Sequence, residues 1–248
     1  MWFQKKTPQP KSLHGKLEIF SRHCFFSDAS PHKQRHKHFS RQACARNLLR
    51  TFDPAKANLT FLLDISKGKD HFLCTQNEFP VVEINQGTEA GAFLALLDYL
   101  ESLSLHPETP IYLVEDDYVH REGWTDVLLE GLQIPGIDYV TLYDHKDKYT
   151  DPMYQNLTSK LLLTQSCHWR TIPSTTQTFA ARWKTLQRDL SIHRRYSRNR
   201  KISADHQKFL TLGATLISPI PGWSTHAEPP FASPGIDWET LLQQESIP

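Results

Sequence analysis

The chain has 248 residues, with 28 Lys and Arg against 27 Asp and Glu, so its net charge is +1. That balance excludes an overall electrostatic case for nucleic acid or for a membrane, while 39% hydrophobic and 22% charged residues suit one sizeable globular domain or two small ones. The cysteines, Cys24, Cys44, Cys74 and Cys167, form no CxxC pair, which argues against a disulfide framework and a structural zinc site.

Residues 1–15 are polar, contain Pro8 and Pro10, and read as a loose tail. The N-terminus lacks the apolar core of a signal peptide, and no run approaches the length of a membrane span. The expected location is therefore cytoplasmic, with reduced thiols. Without a secretory signal, the sequons at Asn58 and Asn156 carry little weight. Residues 16–22 read as the first strand. Residues 24–40 read as a loop with a dense basic patch at His32, Lys33, Arg35, His36, Lys37 and His38. That patch is either a solvated surface or a phosphate contact; zinc binding by His32, His36 and His38 is disfavoured without paired cysteines. A helix follows over 41–51, then a strand over 59–65 with Asp64 near its end, and a short strand over 80–85. Gln86-Gly87-Thr88 forms a turn, with Thr88 as N-cap. Residues 90–103 are helical, with Phe93, Leu96, Leu97 and Leu100 on one face.

Residues 111–114 are apolar and partly β-branched, hence a buried strand, and Glu115, Asp116 and Asp117 follow at once. Residues 124–132 form the next helix and 139–143 another strand. Residues 157–165 and 167–172 read as a hairpin, 175–190 as a helix, 203–212 as a shorter helix capped by Ser203, and 215–219 as a last strand. The tail, with six prolines from Pro219 onward, reads as an extended wrap. This alternation predicts an α/β fold: a Rossmann-like, mostly parallel central sheet flanked by helices.

Strand-end carboxylates fall at the edge where open α/β sheets bind ligands. Three adjacent acids repel one another, and a hard divalent cation, magnesium or manganese, is the usual compensation. A solvated acidic turn is the plain alternative. Asp64 either caps a turn or hydrogen-bonds a ribose or base from the same edge. Asp205, at a helix start, either favours the helix dipole or serves as a general base. His226, in a proline-rich loop, is a surface residue or a ligand. Ser174, Thr175, Thr176 and Gln177 either cap a helix or hold sugar hydroxyls or phosphates. The basic stretches at 31–50 and 182–201, if folded beside the acids, would suit a phosphate-bearing, metal-bound substrate. They also leave peripheral docking on an anionic membrane open.

The order of these elements resembles a GT-A fold glycosyltransferase over residues 16–230. VEDDYV, with Glu115 and Asp117 as the spaced pair, resembles the Glu-Asp-Asp form of that family's Asp-x-Asp metal motif. TTQTFAARWK at 175–184 is similar to the segment that lines the donor sugar, and SADHQKFL resembles the base element. The family's usual Glu-Asp pair is Asp205-His206 here, and no clear glycine-rich loop precedes it. The resemblance implies a single domain over 1–248, with a nucleotide-sugar half at 16–145 and an acceptor-side half with its C-terminal wrap at 146–248. It implies transfer of a sugar from a nucleoside diphosphate sugar to a hydroxyl of a glycan, lipid or small molecule, with inversion. Asp117 and His226 would hold Mn2+ or Mg2+. Arg22, Asp64, Gln86, Glu115, Asp116, Thr175 and Thr176 would bind the nucleotide sugar, and Asp205 would be the catalytic base. Nucleic acid is not an expected partner. A metal-dependent phosphoesterase or nuclease, or a non-catalytic nucleotide-binding module, would also use clustered acids at a sheet edge.

Overall fold

The structure, a computed structural model, describes residues 12–27, 31–68 and 70–245. Four strands build its first half: β1 (Leu17–Cys24), β2 (Ala57–Asp64), β3 (Val81–Ile84) and β4 (Pro110–Glu115), all parallel, in the order β3-β2-β1-β4. Helix α1 (Arg41–Thr51) joins β1 to β2, and α2 (Glu89–Ser102) joins β3 to β4. These strands are apolar along their length because both faces are covered. Ile19, Phe61, Leu63, Tyr112 and Val114 face α1, and Phe20, Leu62, Ile111 and Leu113 face α2. The period of two divides each apolar run between two cores.

Beyond β4 come the short β5 (Tyr118–His120), α3 (Trp124–Gln133), β6 (Tyr139–Val140) and α4 (Asp147–Thr150). The remainder is β7 (Leu161–Leu163), β8 (His168–Ile172), β9 (Phe179–Arg182), α5 (Trp183–Arg195), α6 (Asp205–Leu212), β10 (Leu216–Ile220), β11 (Ser224–His226) and α7 (Trp238–Glu245). The main sheet has nine strands in the order β3-β2-β1-β4-β9-β6-β10-β8-β7, of which only β9 and β8 run against the rest. It is thus the expected α/β sheet, mostly parallel, with helices on both faces. β9, from the C-terminal half of the chain, sits between β4 and β6, so one sheet runs through both halves. No helix of the described residues is long and apolar enough to cross a membrane.

Three expectations are corrected. The helix expected over 175–190 begins only at Trp183, because Phe179–Arg182 is a strand. Phe179, Trp183 and Leu186 fit a helical stripe, but all four residues of β9 are buried, and a short apolar run cannot by itself distinguish a helix from a central strand. The wrap expected after Pro219 contains β11 and α7. Trp238 and Leu242 of α7 pack on Ala43 and Cys44 of α1. Ser203 does not cap α6: Ala204 holds that position without a side-chain bond, and the Ser203 hydroxyl is buried against Ser197.

Candidate active site

The chain leaves β1 for β2 and β3 on one side, then returns to β4 on the other, so the topological switch point lies between β1 and β4. Open α/β sheets bind ligands at that point, beyond the strand C-termini. A cleft of about 300 Å³ opens there. Arg22, Asp64, Glu115, Asp116, Asp117, Thr176, Asp205 and His226 all line it.

The polar residues that follow Val114 end β4, and Asp116-Asp117 turn the chain into β5. β5 pairs antiparallel with β11, setting His226 opposite Tyr118. That pairing is what brings His226 to Asp117. Its Nε2 lies 2.8 Å from Asp117 Oδ2, and the Ala227 N–H donates to the Asp117 carbonyl at 2.8 Å. The ring's other nitrogen, Nδ1, lies 3.2 Å from Glu228 Oε2. A carboxylate on the far side of a histidine fixes the ring's orientation.

Each of the three acids has a cation at hand. Arg22 lies 3.5 Å from Glu115, Arg41 donates to Asp116 at 2.8 Å, and Arg35 donates to Asp117 at 2.9 Å, with Lys33 at 3.9 Å. Burial pushes Glu115 up to about 7 against the pull of Arg22, and it raises Asp116 against Arg41. Burial would also raise Asp117, but His226, then Lys33 and Arg35, hold it well below the usual carboxylate range. His226 loses basicity by burial and regains more from Asp117 and Glu228, ending at about 9.

Asp117 and His226 bring together a carboxylate oxygen and an imidazole nitrogen, donor types that suit Mn2+ or Mg2+, and in this structure the two share a 2.8 Å hydrogen bond that a bound ion would have to replace. Among the described residues no group of three or more His, Cys, Asp or Glu side chains is arranged to hold a metal. Magnesium-like ions commonly take one or two protein ligands and fill the shell with water and substrate phosphates.

Asp205 lines the cleft from the first turn of α6. Its Oδ1 accepts from Lys208 Nζ at 2.9 Å, and burial raises its pKa against the pull of that lysine. Thr176 shares a 2.7 Å hydrogen bond with the Tyr118 hydroxyl. Asp64 lines the cleft, but its carboxylate accepts backbone N–H groups of Ser66 at 3.0 Å, Gln86 at 3.2 Å and Gly87 at 2.8 Å. It therefore pins the loop between β3 and α2. Gln86 and Thr175 do not line the cleft. Gln86 gives its backbone N–H to Asp64, and the buried Thr175 hydroxyl has no partner within hydrogen-bonding reach.

The basic stretch at 31–50 does meet the acids, through Lys33, Arg35 and Arg41. The one at 182–201 does not: Arg182 pairs with Glu108, Arg188 with Asp138 and Asp189, and Arg194 with Asp98 and Glu101. His36 and His38 face Glu239 of α7.

Sequence reasoning did not single out Arg41 or Glu89, both cleft residues, whereas Gln177, read as a possible sugar or phosphate contact, does line the cleft. Arg41 carried a signal. It opens α1 with no acid in the first turn, where the helix dipole disfavours a cation. A carboxylate brought from elsewhere, Asp116, offsets that cost. Glu89 gave no signal, since an acid in a first turn is ordinary. It nevertheless accepts from Arg22 at 3.2 Å and from the Ser203 N–H at 2.7 Å, tying β1 and α2 to the segment before α6.

No family model and no curated protein sequence matches this chain. Solved structures do. A structure of GalNAc-T7 with UDP, GalNAc and Mn2+ superposes with a TM-score of 0.55 at 8% identity, covering 85% of this chain and 43% of that one. This chain thus spans less than half the length of that relative. A CMP:2-keto-3-deoxy-manno-octonic acid synthetase complexed with CTP gives 0.48 at 11% identity, covering 84% of this chain and 92% of the other. The galactosyltransferase LgtC with donor and acceptor sugar analogs gives 0.43 at 9%, covering 82% and 72%. The match to GalNAc-T7 makes the fold GT-A-like.

Proposed function

We propose that the chain is a metal-dependent glycosyltransferase that moves a sugar from a nucleoside diphosphate sugar to a hydroxyl acceptor. The observation that carries this reading is convergence. Asp117, Asp205 and His226, far apart in sequence, line one cleft at the switch point of a GT-A-like sheet. GalNAc-T7, on a similar fold, carries UDP, GalNAc and Mn2+.

Asp117 and His226 would hold Mn2+ or Mg2+, with Glu228 orienting the imidazole. The bound ion supplies positive charge for the diphosphate leaving group. Arg22, Arg41 and Lys33 add protein cations to the same wall of the cleft. Glu115 stands at the end of β4 within reach of a ribose, and Asp116 holds Arg41 toward the phosphates. Asp64 acts through the loop it pins at the nucleoside end. Thr176 faces the donor sugar. Asp205 takes the acceptor proton as the hydroxyl oxygen bonds to the anomeric carbon and the carbon–diphosphate bond breaks. A single displacement of this kind inverts the anomeric centre.

Calorimetry of a panel of nucleoside diphosphates, with and without Mn2+, on wild type and Asp117→Ala tests the reading. Metal-dependent binding that the variant loses supports it and identifies the base. Binding indifferent to both metal and Asp117 removes its foundation.

A further inference from the structure

Lys208 is fully buried, at 0% exposure. Lysine is almost never fully buried unless paired, since taking an ammonium out of water costs several kcal/mol. Its stem and head fill a cage of three rings: Nζ lies 4.9 Å from the centroid of Phe93, 5.1 Å from Phe209 and 5.5 Å from Phe179. These rings come from three different elements, α2, α6 and β9. The ammonium donates to Asp205 Oδ1 at 2.9 Å and to Gln177 Oε1 at 3.1 Å. Both acceptors line the cleft and Lys208 does not. Among the described residues the buried Gln177 amide nitrogen has no hydrogen-bond partner, and Lys208 holds that side chain by its oxygen.

A lysine one helical turn after an acid usually forms a solvated surface pair worth a few tenths of a kcal/mol. Here the pair points inward. The rings hold the ammonium, the ammonium holds one carboxylate oxygen, and the other oxygen remains for the cleft. A purely structural core would be served as well by an apolar side chain in that cage, because a buried ion pair seldom stabilises more than its hydrophobic replacement.

We propose that Lys208 is the positioning residue for Asp205: from its aromatic cage it keeps that carboxylate ionised and aimed into the cleft. The consequence for rate rests on the proposed role of Asp205 as base; the electrostatic claim does not. The other charged groups that face Asp205 are Glu89 of α2 and Arg22 of β1, which oppose each other, and His193 of α5 faces Lys208. Arg22 is itself occupied by Glu89 and Glu115. Lys208 is therefore the cation committed to Asp205.

The test is a carboxyl NMR titration of protein labelled with 13C at the aspartate carboxyl, with the Asp205 signal assigned by its loss in Asp205→Asn. In wild type the signal is expected to be that of a carboxylate at neutral pH. In Lys208→Met, which keeps the stem in its cage, the midpoint is expected to rise by about one pH unit or more, a tenfold or greater gain in proton affinity. Lys208→Gln, which retains hydrogen-bond donors without the charge, is expected to shift in the same direction. An Asp205 that is already protonated at neutral pH in wild type overturns the proposal, even if neither variant folds. So does an unmoved midpoint in a folded variant. Donor turnover is then followed against pH in the same proteins, where the rising limb is expected to move with the midpoint. Absence of donor turnover in wild type would count against the transferase reading and leave the titration result standing.

Discussion

Two acids of the cleft are held in opposite ways. Asp117 is met by Lys33 and Arg35 from a loop and by His226 from β11, and the lysine and arginine side chains keep 25% and 15% of their exposure. Asp205 is met by a lysine with none. Partly exposed cations on a loop can be exchanged for another cation at small cost. A caged ammonium cannot move without opening the core. The first arrangement suits a carboxylate that must release one partner to take another. The second suits a carboxylate whose charge and direction must not change. The three acids that follow β4 repel one another less than their adjacency suggests, because the fold assigns a separate arginine to each.

Substitutions can break this contrast. The largest effect is expected from Asp205→Asn: donor turnover falls by about a hundredfold to ten-thousandfold, the usual worth of a positioned base. Nucleoside diphosphate binding by calorimetry stays near wild type. If turnover is retained, Asp205 is not the base; if wild type binds the diphosphate but turns over no donor, the chain is a binding module. Asp117→Ala reverses the pattern. Metal-dependent diphosphate binding is expected to weaken by about a hundredfold or more, beyond the 10–100-fold typical of residues that merely orient a ligand. Glu228→Gln falls in that second class, with Mn2+ affinity down by about ten- to a hundredfold as the imidazole loses its orienting carboxylate.

Acid titration bears on how the contrast is measured. His23 and His120 are buried neutral, each lowered by desolvation to about 3. The unfolded chain binds protons at these positions from about pH 6.5 downward while the fold does not. Stability that is complete above that pH is therefore lost as pH falls toward 3. The slope is about 1.4 kcal/mol per pH unit for each histidine, tenfold in the folding constant. Urea melts at pH 7 and pH 5 should show it, and activity profiles in acid must be corrected for it. The smallest effect is expected from Arg35→Gln. It frees Asp117 from a part-exposed pair worth under about 1 kcal/mol, so Mn2+ alone binds a few-fold more tightly. Weaker binding would mean that Arg35 supports the site instead of occupying it.

Much of the parallel half was legible because local signals agreed. Thr88 caps α2 as its sequence suggests, accepting from the Gly91 N–H at 3.0 Å. Helix α1 begins and ends where its pattern does. The apolar run of β4 ends in acids that do line the cleft. The failures were of two physical kinds. Phe179–Arg182 has a pattern that either a helix or a central strand satisfies, and only its neighbours β4 and β6 decide. Asp64 is open in sequence between a turn cap and a ligand contact, and the fold gives its carboxylate to backbone N–H groups while it still lines the cleft; Gln86 and Thr175, read toward the nucleotide sugar, do not line it.

What the sequence by itself determined is the run of strands and helices through β4 and the edge on which the acids fall, because hydrophobic period, caps and strand ends act within a few residues. Only the tertiary structure decided which charges meet. It set His226 and Arg35 on Asp117, Arg41 on Asp116, and Lys208 beneath Asp205 in a ring cage built from three elements. Those pairings depend on strand register and helix packing between residues as much as 109 positions apart. A charge in sequence carries no sign of whether it will be solvated or brought, desolvated, against its partner.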